Sequence, residues 1–265
     1  MKSTVRHIFE ASFGVLLTAC IVCSFVAGSD ARSSLRCSGI SVVIADSVSN
    51  SFVSKADVKM YLDREYGAYI GQPLDSLDLT RMEKIIDGRS AVMKSEAYIT
   101  RDGILHIAVT QRKPVVRFQL PDGGFYADAE GFIFPLQKNY ASHVQVVDGD
   151  IPLAANSGYK GKIEDPKQQE WLHRVLAVVN YLENSKMWKD KFVQISVSKN
   201  GELIMIPRTG QERFLIGQPV GIKEKFQKME KYYTHIIPEK GKDCYRYVDL
   251  RFKDQIVCRK DQKQK

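Results

Sequence analysis

Between Ala11 and Ser29 the chain carries no charged side chain (ASFGVLLTACIVCSFVAGS). As a helix this run rises about 28 Å, close to the ~30 Å hydrocarbon core of a bilayer. Past Gly39 the pattern alternates between short β-rich runs and amphipathic helices. Ile40-Ser41-Val42-Val43-Ile44 predicts a strand, and Ser54-Lys55-Ala56-Asp57 has the form of a capping box opening a helix to about Tyr66. Gly67 and Gly71-Gln72-Pro73 then interrupt the chain. A second helix is predicted from Leu77 to Asp87, with Leu79, Met82, Ile85 and Ile86 on one face and Gly88 at its end. Two β-rich runs follow, 97–100 and 104–109, joined by Arg101-Asp102-Gly103 as a hairpin.

Beyond Gln111 the pattern predicts a mixed sheet with helices packed on it. Pro114 limits pairing in the middle of a sheet and suits a domain junction or an edge strand. Asp122-Gly123-Gly124 and Asp128-Ala129-Glu130-Gly131 are turn chemistry between short strands. Asp165-Pro166 supplies an N-cap and a first-turn proline for a helix to about Asn184, with Leu172, Val175, Leu176, Val179 and Leu182 inward. Residues 192–198 and 202–206 form a hairpin on Asn200-Gly201, a type I′ signal. A further helix runs from Ile222 to His235, with Pro238 just beyond it. Tyr245 to Lys260 reads as two strands and a tight turn near Asp254, with nothing after them to cover the last strand. That turn would set Cys258 opposite Leu250. In an extended strand Asp249 and Arg251 share a face with Tyr245 and Tyr247, while Val248, Leu250 and Phe252 line the other.

Composition narrows the function by exclusion. At 265 residues, 44% hydrophobic and 26% charged, the chain can hold one or two globular domains. Its net charge of +8 is spread along the chain, and no basic run is interleaved with aromatics, so nucleic acid is not an expected partner. His7, His106, His143, His173 and His235 share no ligand spacing, and His106 falls on the solvent face of its strand. No nucleophile elbow, phosphate loop or dinucleotide fingerprint is present. Asp128 and Glu130 read as a solvated turn. The expectation is a protein that is not an enzyme, with no cofactor, no metal and no small-molecule substrate. Cys20, Cys23, Cys37, Cys244 and Cys258 form no framework and read as free thiols. Asp249 and Arg251 stay open between a polar face closing a sheet and a stripe that a partner meets.

The N-terminal run decides the compartment. An uncut membrane anchor fits its length best. A cleaved signal peptide, with Val26-Ala27-Gly28-Ser29 as small residues, and a lipoprotein signal ending at Leu17-Thr18-Ala19-Cys20 are the alternatives. All three place Arg32 to Lys265 outside the cytoplasm. The lipoprotein reading carries its own function, an exported adaptor or ligand-binding module anchored at Cys20.

Strand, helix, helix, strand, strand after such an anchor is what a POTRA domain looks like. Three blocks narrow the match: Gln111-Arg112-Lys113-Pro114-Val115-Val116-Arg117, then Phe125-Tyr126-Ala127-Asp128-Ala129-Glu130-Gly131-Phe132-Ile133-Phe134-Pro135-Leu136, then Tyr247-Val248-Asp249-Leu250-Arg251-Phe252. In this order and spacing they closely resemble the bacterial cell-division family FtsQ, called DivIB in Gram-positive bacteria. The resemblance runs from Ile8 to Arg259 and is weakest between Gly149 and Asp165.

The resemblance implies an α+β chain: a cytoplasmic stub and transmembrane helix over 1–30, a POTRA domain (β-α-α-β-β) over 31–112, an FtsQ-type β domain over 113–260 and a tail over 261–265. It implies a single-pass inner-membrane protein with its bulk in the periplasm, acting as a divisome scaffold at the division site. FtsB-like and FtsL-like membrane proteins would be its partners, linked through it to septal wall synthesis. In the family the last strands dock a segment of FtsB. Carried over by position, the contact is Tyr247, Arg251, Phe252, Ile256 and Cys258, with Arg251 meeting an acidic group and Phe252 and Ile256 as apolar anchors. An edge keeping Ile256-Val257-Cys258 without a blunting Lys or Pro fits strand addition by a partner. The family carries a bulky aromatic in its last strand, which Cys258-Arg259-Lys260 does not supply. Ile40 to Tyr66 is the expected recruitment surface of the POTRA unit.

Overall fold

The computed structural model describes residues 16–24, 35–45, 51–137 and 140–260. Residues 16–24 are helical, with Leu16, Leu17, Ile21 and Val22 exposed. The rest of the expected anchor lies outside the described residues, as does the tail over 261–265. Among the described residues no helix is long and apolar enough to cross a membrane. The chain divides into two compact units, Met1–Gln111 and Arg112–Lys265.

In the first unit β1 (Gly39–Ala45) leads to helix α1 (Lys55–Glu65), a 3-10 turn (Leu74–Ser76) and helix α2 (Leu79–Asp87), then β2 (Val92–Ile99) and β3 (Ile104–Gln111). The capping box is formed: Ser54 Oγ accepts from the Asp57 N–H at 3.1 Å, and Asp57 Oδ2 accepts from the Ser54 N–H at 2.8 Å. The second helix opens two residues later than its apolar spacing predicts. Asp78 is the cap, accepting from the Arg81 N–H at 2.9 Å, and Leu77 stays extended. Strand β2 begins at Val92, five residues before the β-rich run, because its ladder with β3 continues to Gln111. The sheet order is β1-β3-β2, with β1 parallel to β3. Leu105, Ile107 and Val109 face Leu62, Met82 and Ile86 in the core, while His106 stands on the other face stacked on Tyr98 at 5.0 Å.

The second unit holds β4 (Pro114–Leu120), β5 (Gly123–Asp128), β6 (Phe132–Pro135), β7 (Gln145–Gly149), β8 (Gly161–Lys162), α3 (Pro166–Glu183), β9 (Phe192–Val197), β10 (Leu203–Pro207), β11 (Arg213–Gly217), α4 (Ile222–Lys231), α5 (Ile237–Lys240), β12 (Tyr247–Asp249) and β13 (Val257–Arg259). They form one mixed ten-stranded sheet in the order β13-β12-β11-β10-β9-β7-β4-β5-β6-β8. Pro114 is the first residue of an interior strand, at the junction between units, where its missing N–H costs the ladder least. Helix α3 is capped as the sequence predicts, with Asp165 Oδ1 accepting from the Gln168 N–H at 2.9 Å and Pro166 in the first turn. Its buried side chains meet the sheet, and Trp171 donates Nε1–H to the Gly201 carbonyl at 2.9 Å.

Three local readings change. The β9–β10 turn is not type I′, because, of Asn200 and Gly201, only Gly201 has positive φ (71°). The Gly201 N–H bonds the Ser198 carbonyl and the Ser198 N–H the Glu202 carbonyl, a type I turn with a glycine bulge. The helix from Ile222 leaves α geometry after Lys231, passes through a π-helical turn (Tyr232–Ile236) and resumes at Ile237. Pro238 thus sits in the first turn of α5, where its ring is tolerated, rather than beyond a helix end. Asp128 is not a solvated turn residue: it is 8% exposed and paired with Arg112 at 2.9 Å.

Candidate functional site at the open edge of the second sheet

The interest of the second unit lies where its sheet stops. Strand β12 is laid parallel on β11, with Arg213, Phe214 and Leu215 opposite Tyr247, Val248 and Asp249. Phe214 and Val248 are fully buried, so this pairing is held by the aromatic core: Phe214 meets Tyr232 edge-on at 5.5 Å and Phe192 at 6.4 Å. Strand β13 returns antiparallel, with Tyr247 opposite Arg259, Val248 opposite Cys258 and Asp249 opposite Val257. The Arg259 carbonyl accepts from the Arg246 N–H at 2.8 Å and so points into the ladder. By the alternation of a strand, the Cys258 peptide groups then face the open side, where no further strand follows among the described residues.

This register corrects the sequence expectation for the turn. Cys258 lies across from Val248, not Leu250, because β12 spans only three residues and the connection from Leu250 to Ile256 is wider than a tight hairpin. Cys258 and Cys244 are free thiols, and burial pushes the Cys258 thiol above its ordinary value, with Cys244 adding to the rise.

The same shortness redistributes the faces. Asp249 turns inward, 3% exposed, and Phe252 turns outward, 49% exposed, the reverse of their predicted sides. Asp249 takes Arg251 with it: Oδ1 accepts Nε–H at 2.9 Å and the backbone N–H at 3.1 Å, while Oδ2 accepts from Nη2 at 2.7 Å. The remaining arm, Nη1, donates to Glu202 Oε2 at 3.0 Å. Arg251 is therefore already clamped within the chain by two carboxylates. Its stem lies against Gly217, where a Cβ would come within 2.8 Å of Arg251 Cγ and the φ is +71°. Gly217→Ala is accordingly expected to cost ~1–3 kcal/mol through left-handed strain and displacement of the stem. Chemical unfolding of that variant checks it, and a loss below about 0.5 kcal/mol would show that the stem moves freely.

Burial alone would raise the Asp249 carboxyl, but the hydrogen bonds and charge of Arg251 outweigh it and hold the group below the usual carboxylate range. A lowered folded value means that this contribution to stability is complete above the unfolded value of about 4 and is lost as pH falls through the folded one. Urea midpoints of the chain should therefore drop between pH 5 and pH 3 more steeply than those of Asp249→Asn. Parallel slopes would refute the assignment.

Of the five contact residues expected from the sequence, Arg251 and Phe252 are exposed, while Tyr247, Ile256 and Cys258 are half-buried. Ile256 and Cys258 pack against the core, and Tyr247 carries the Arg259 guanidinium 5.7 Å from its ring centre. Sequence reasoning missed Lys228 altogether. Its ammonium, on a residue only 8% exposed, crosses from α4 to donate to the Phe252 carbonyl at 2.7 Å. No local signal marks it, since it sits among Lys223, Lys225 and Lys231 on a helix that reads as evenly basic. Among the described residues no cluster of His, Cys, Asp or Glu could hold a metal ion.

The three sequence blocks thus fall in one sheet but not at one place: Arg112 and Asp128 form an ion pair beside β4 and β5, while Tyr247–Phe252 lies at the sheet edge, with four strands between β12 and β4. A family model described as FtsQ/DivIB, C-terminal related, matches residues 113–259, and a POTRA-like domain model matches residues 35–110. The chain belongs to the FtsQ/DivIB family. This is a family of non-enzymatic cell-division scaffolds that act at the division site. No curated protein matches the chain in sequence. The FtsQ/DivIB match takes in the whole of β4 to β13, the open edge included, and the POTRA-like match takes in β1, β2 and β3 as far as Thr110.

Proposed function

We propose that this protein is a single-pass divisome scaffold of the inner membrane, anchored by the apolar run at 11–29, with both units in the periplasm. Its partners are an FtsB-like protein, which adds a strand to the open side of β13, and an FtsL-like protein paired with it, linking the scaffold to septal wall synthesis. The observation that carries this reading is the sheet edge itself: β13, paired only with β12 among the described residues, beside Phe252, the most exposed large apolar side chain of the second unit among the described residues. Backbone groups of the edge would supply affinity, and side chains at Tyr247, Phe252, Ile256 and Cys258 would supply specificity. Arg251 enters the contact through its clamped guanidinium, as a shared rather than a free cation.

The POTRA-like unit serves recruitment through its surface from Ile40 to Tyr66, where Val43 and Met60 are exposed. Two measurements test the proposal. The full chain, tagged and solubilised from envelopes, should retain FtsB-like and FtsL-like proteins through purification. Retention of neither would overturn the partner assignment. Protease added outside an intact inner membrane should digest residues beyond Arg32, and protection of that region would overturn the topology.

A further inference from the structure

The connection between β12 and β13 is braced from both sides, and the brace on the helix side is chemically costly. Leu250 is fully buried and donates its N–H to the Leu215 carbonyl at 3.0 Å. Arg251 is clamped to Asp249 and Glu202. Asp254, with φ of +55°, turns the chain back toward Ile256, which packs on the core. Between these fixed points Phe252 offers its ring to solvent while its carbonyl points inward, to the Lys228 ammonium.

A lysine buried to this degree normally pairs with a carboxylate, because a desolvated ammonium is unfavourable without one. The nearest carboxylate oxygen, Glu224 Oε1, is 3.4 Å away on a largely exposed side chain, and the shorter contact is the uncharged Phe252 carbonyl. Replacing a buried charge together with its partner by apolar side chains is commonly neutral for stability or better. Its place here thus has no evident stability gain, whereas its geometry holds one peptide plane of the exposed turn.

We propose that Lys228 is a positioning residue for the partner contact: it fixes the turn at Phe252 so that the ring is presented ready for binding. The proposal rests on the reading of the β13 edge as the docking site, and it assigns Lys228 no contact with the partner. A ring held in its bound orientation avoids the ordering cost that a mobile turn meets on association.

Lys228→Met in the full chain tests this, because it keeps the stem and removes the ammonium. Hydrogen exchange needs no partner: the amides of residues 251–256 should exchange at least tenfold faster, with α4 and β9–β11 unchanged. Affinity for the FtsB-like protein of the same bacterium, purified with its FtsL-like partner, should fall at least tenfold. That loss should vanish in a Phe252→Ala background, since there is then no ring to position. Lys228→Arg, which retains a charged donor, should recover at least part of the affinity.

Unchanged exchange at 251–256 would overturn the proposal whatever the partner does. A loss of affinity equal in both backgrounds would make Lys228 a contact or a general structural residue, and would overturn it too. If Lys228→Met fails to fold, Lys228→Gln carries the same comparison, and failure of both overturns the positioning role. An unaltered affinity for Phe252→Ala alone would instead refute the docking reading, leaving the exchange result to stand by itself.

Discussion

Phe252→Glu is expected to abolish capture of the FtsB-like partner while leaving the fold intact. The ring is half-exposed in the free chain, so its removal leaves no cavity, and the change in stability should stay within about 0.5 kcal/mol. In the complex the same ring would be an apolar anchor beside the added strand. Truncating an anchor of this kind costs about 2 kcal/mol or more, roughly a thirtyfold loss of affinity, and a carboxylate adds desolvation of an unpaired charge. Matched melting curves with a loss of affinity of that size or greater would satisfy the prediction. Equal affinity with an intact fold would move the contact away from the β12–β13 connection, and the exposed apolar side chains of the POTRA-like unit, Val43 on β1 and Met60 on α1, would be the next to test.

Asp128→Ala should have the largest effect on stability. The Arg112 and Asp128 side chains are only 13% and 11% exposed, and Nη1 meets Oδ2 at 2.9 Å. Asp128 Oδ1 also accepts the N–H groups of Glu130 and Phe132 at 3.0 and 2.9 Å, closing the turn between β5 and β6. The Arg112 guanidinium lies 3.4 Å from the centre of the Phe132 ring, and its Nε is buried with no hydrogen-bond partner among the described residues. Alanine would leave that cation with no carboxylate and two turn amides unbonded. Breaking a buried pair by removing one partner costs about 3–5 kcal/mol, which for a unit of this size lowers Tm by about 10 °C. Calorimetry measures it, and Asp128→Asn, which keeps an acceptor for the turn amides, should recover part of the loss. A shift under about 2 °C would show that the pair contributes nothing net.

The elements were legible wherever the determinant lies within a few residues. The Ser54–Asp57 box, the Asp165-Pro166 start and the Asp102-Gly103 hairpin use neighbours along the chain, and each forms where its residues predict. So does the inward stripe of α3, which is fixed by helical period. The family was legible as well, because its three blocks are contiguous strings. The site was only half legible. The five positions proposed for the contact could be numbered from the family resemblance, but which of them face solvent could not. Alternation presumes a straight strand, and β12 runs for only three residues before Arg251 is pulled onto Asp249.

Taken alone, the sequence determined the α+β class, the order of elements in the first unit, the family and the approach of the third block to a sheet edge. Tertiary structure decided the register of Cys258 on Val248, the burial of Asp249, the exposure of Phe252 and the part taken by Lys228. The physical reason is separation along the chain. Glu202, Gly217 and Lys228 lie 49, 34 and 24 residues from the groups they hold or make room for at 251–252, and only the packed sheet and α4 bring them there.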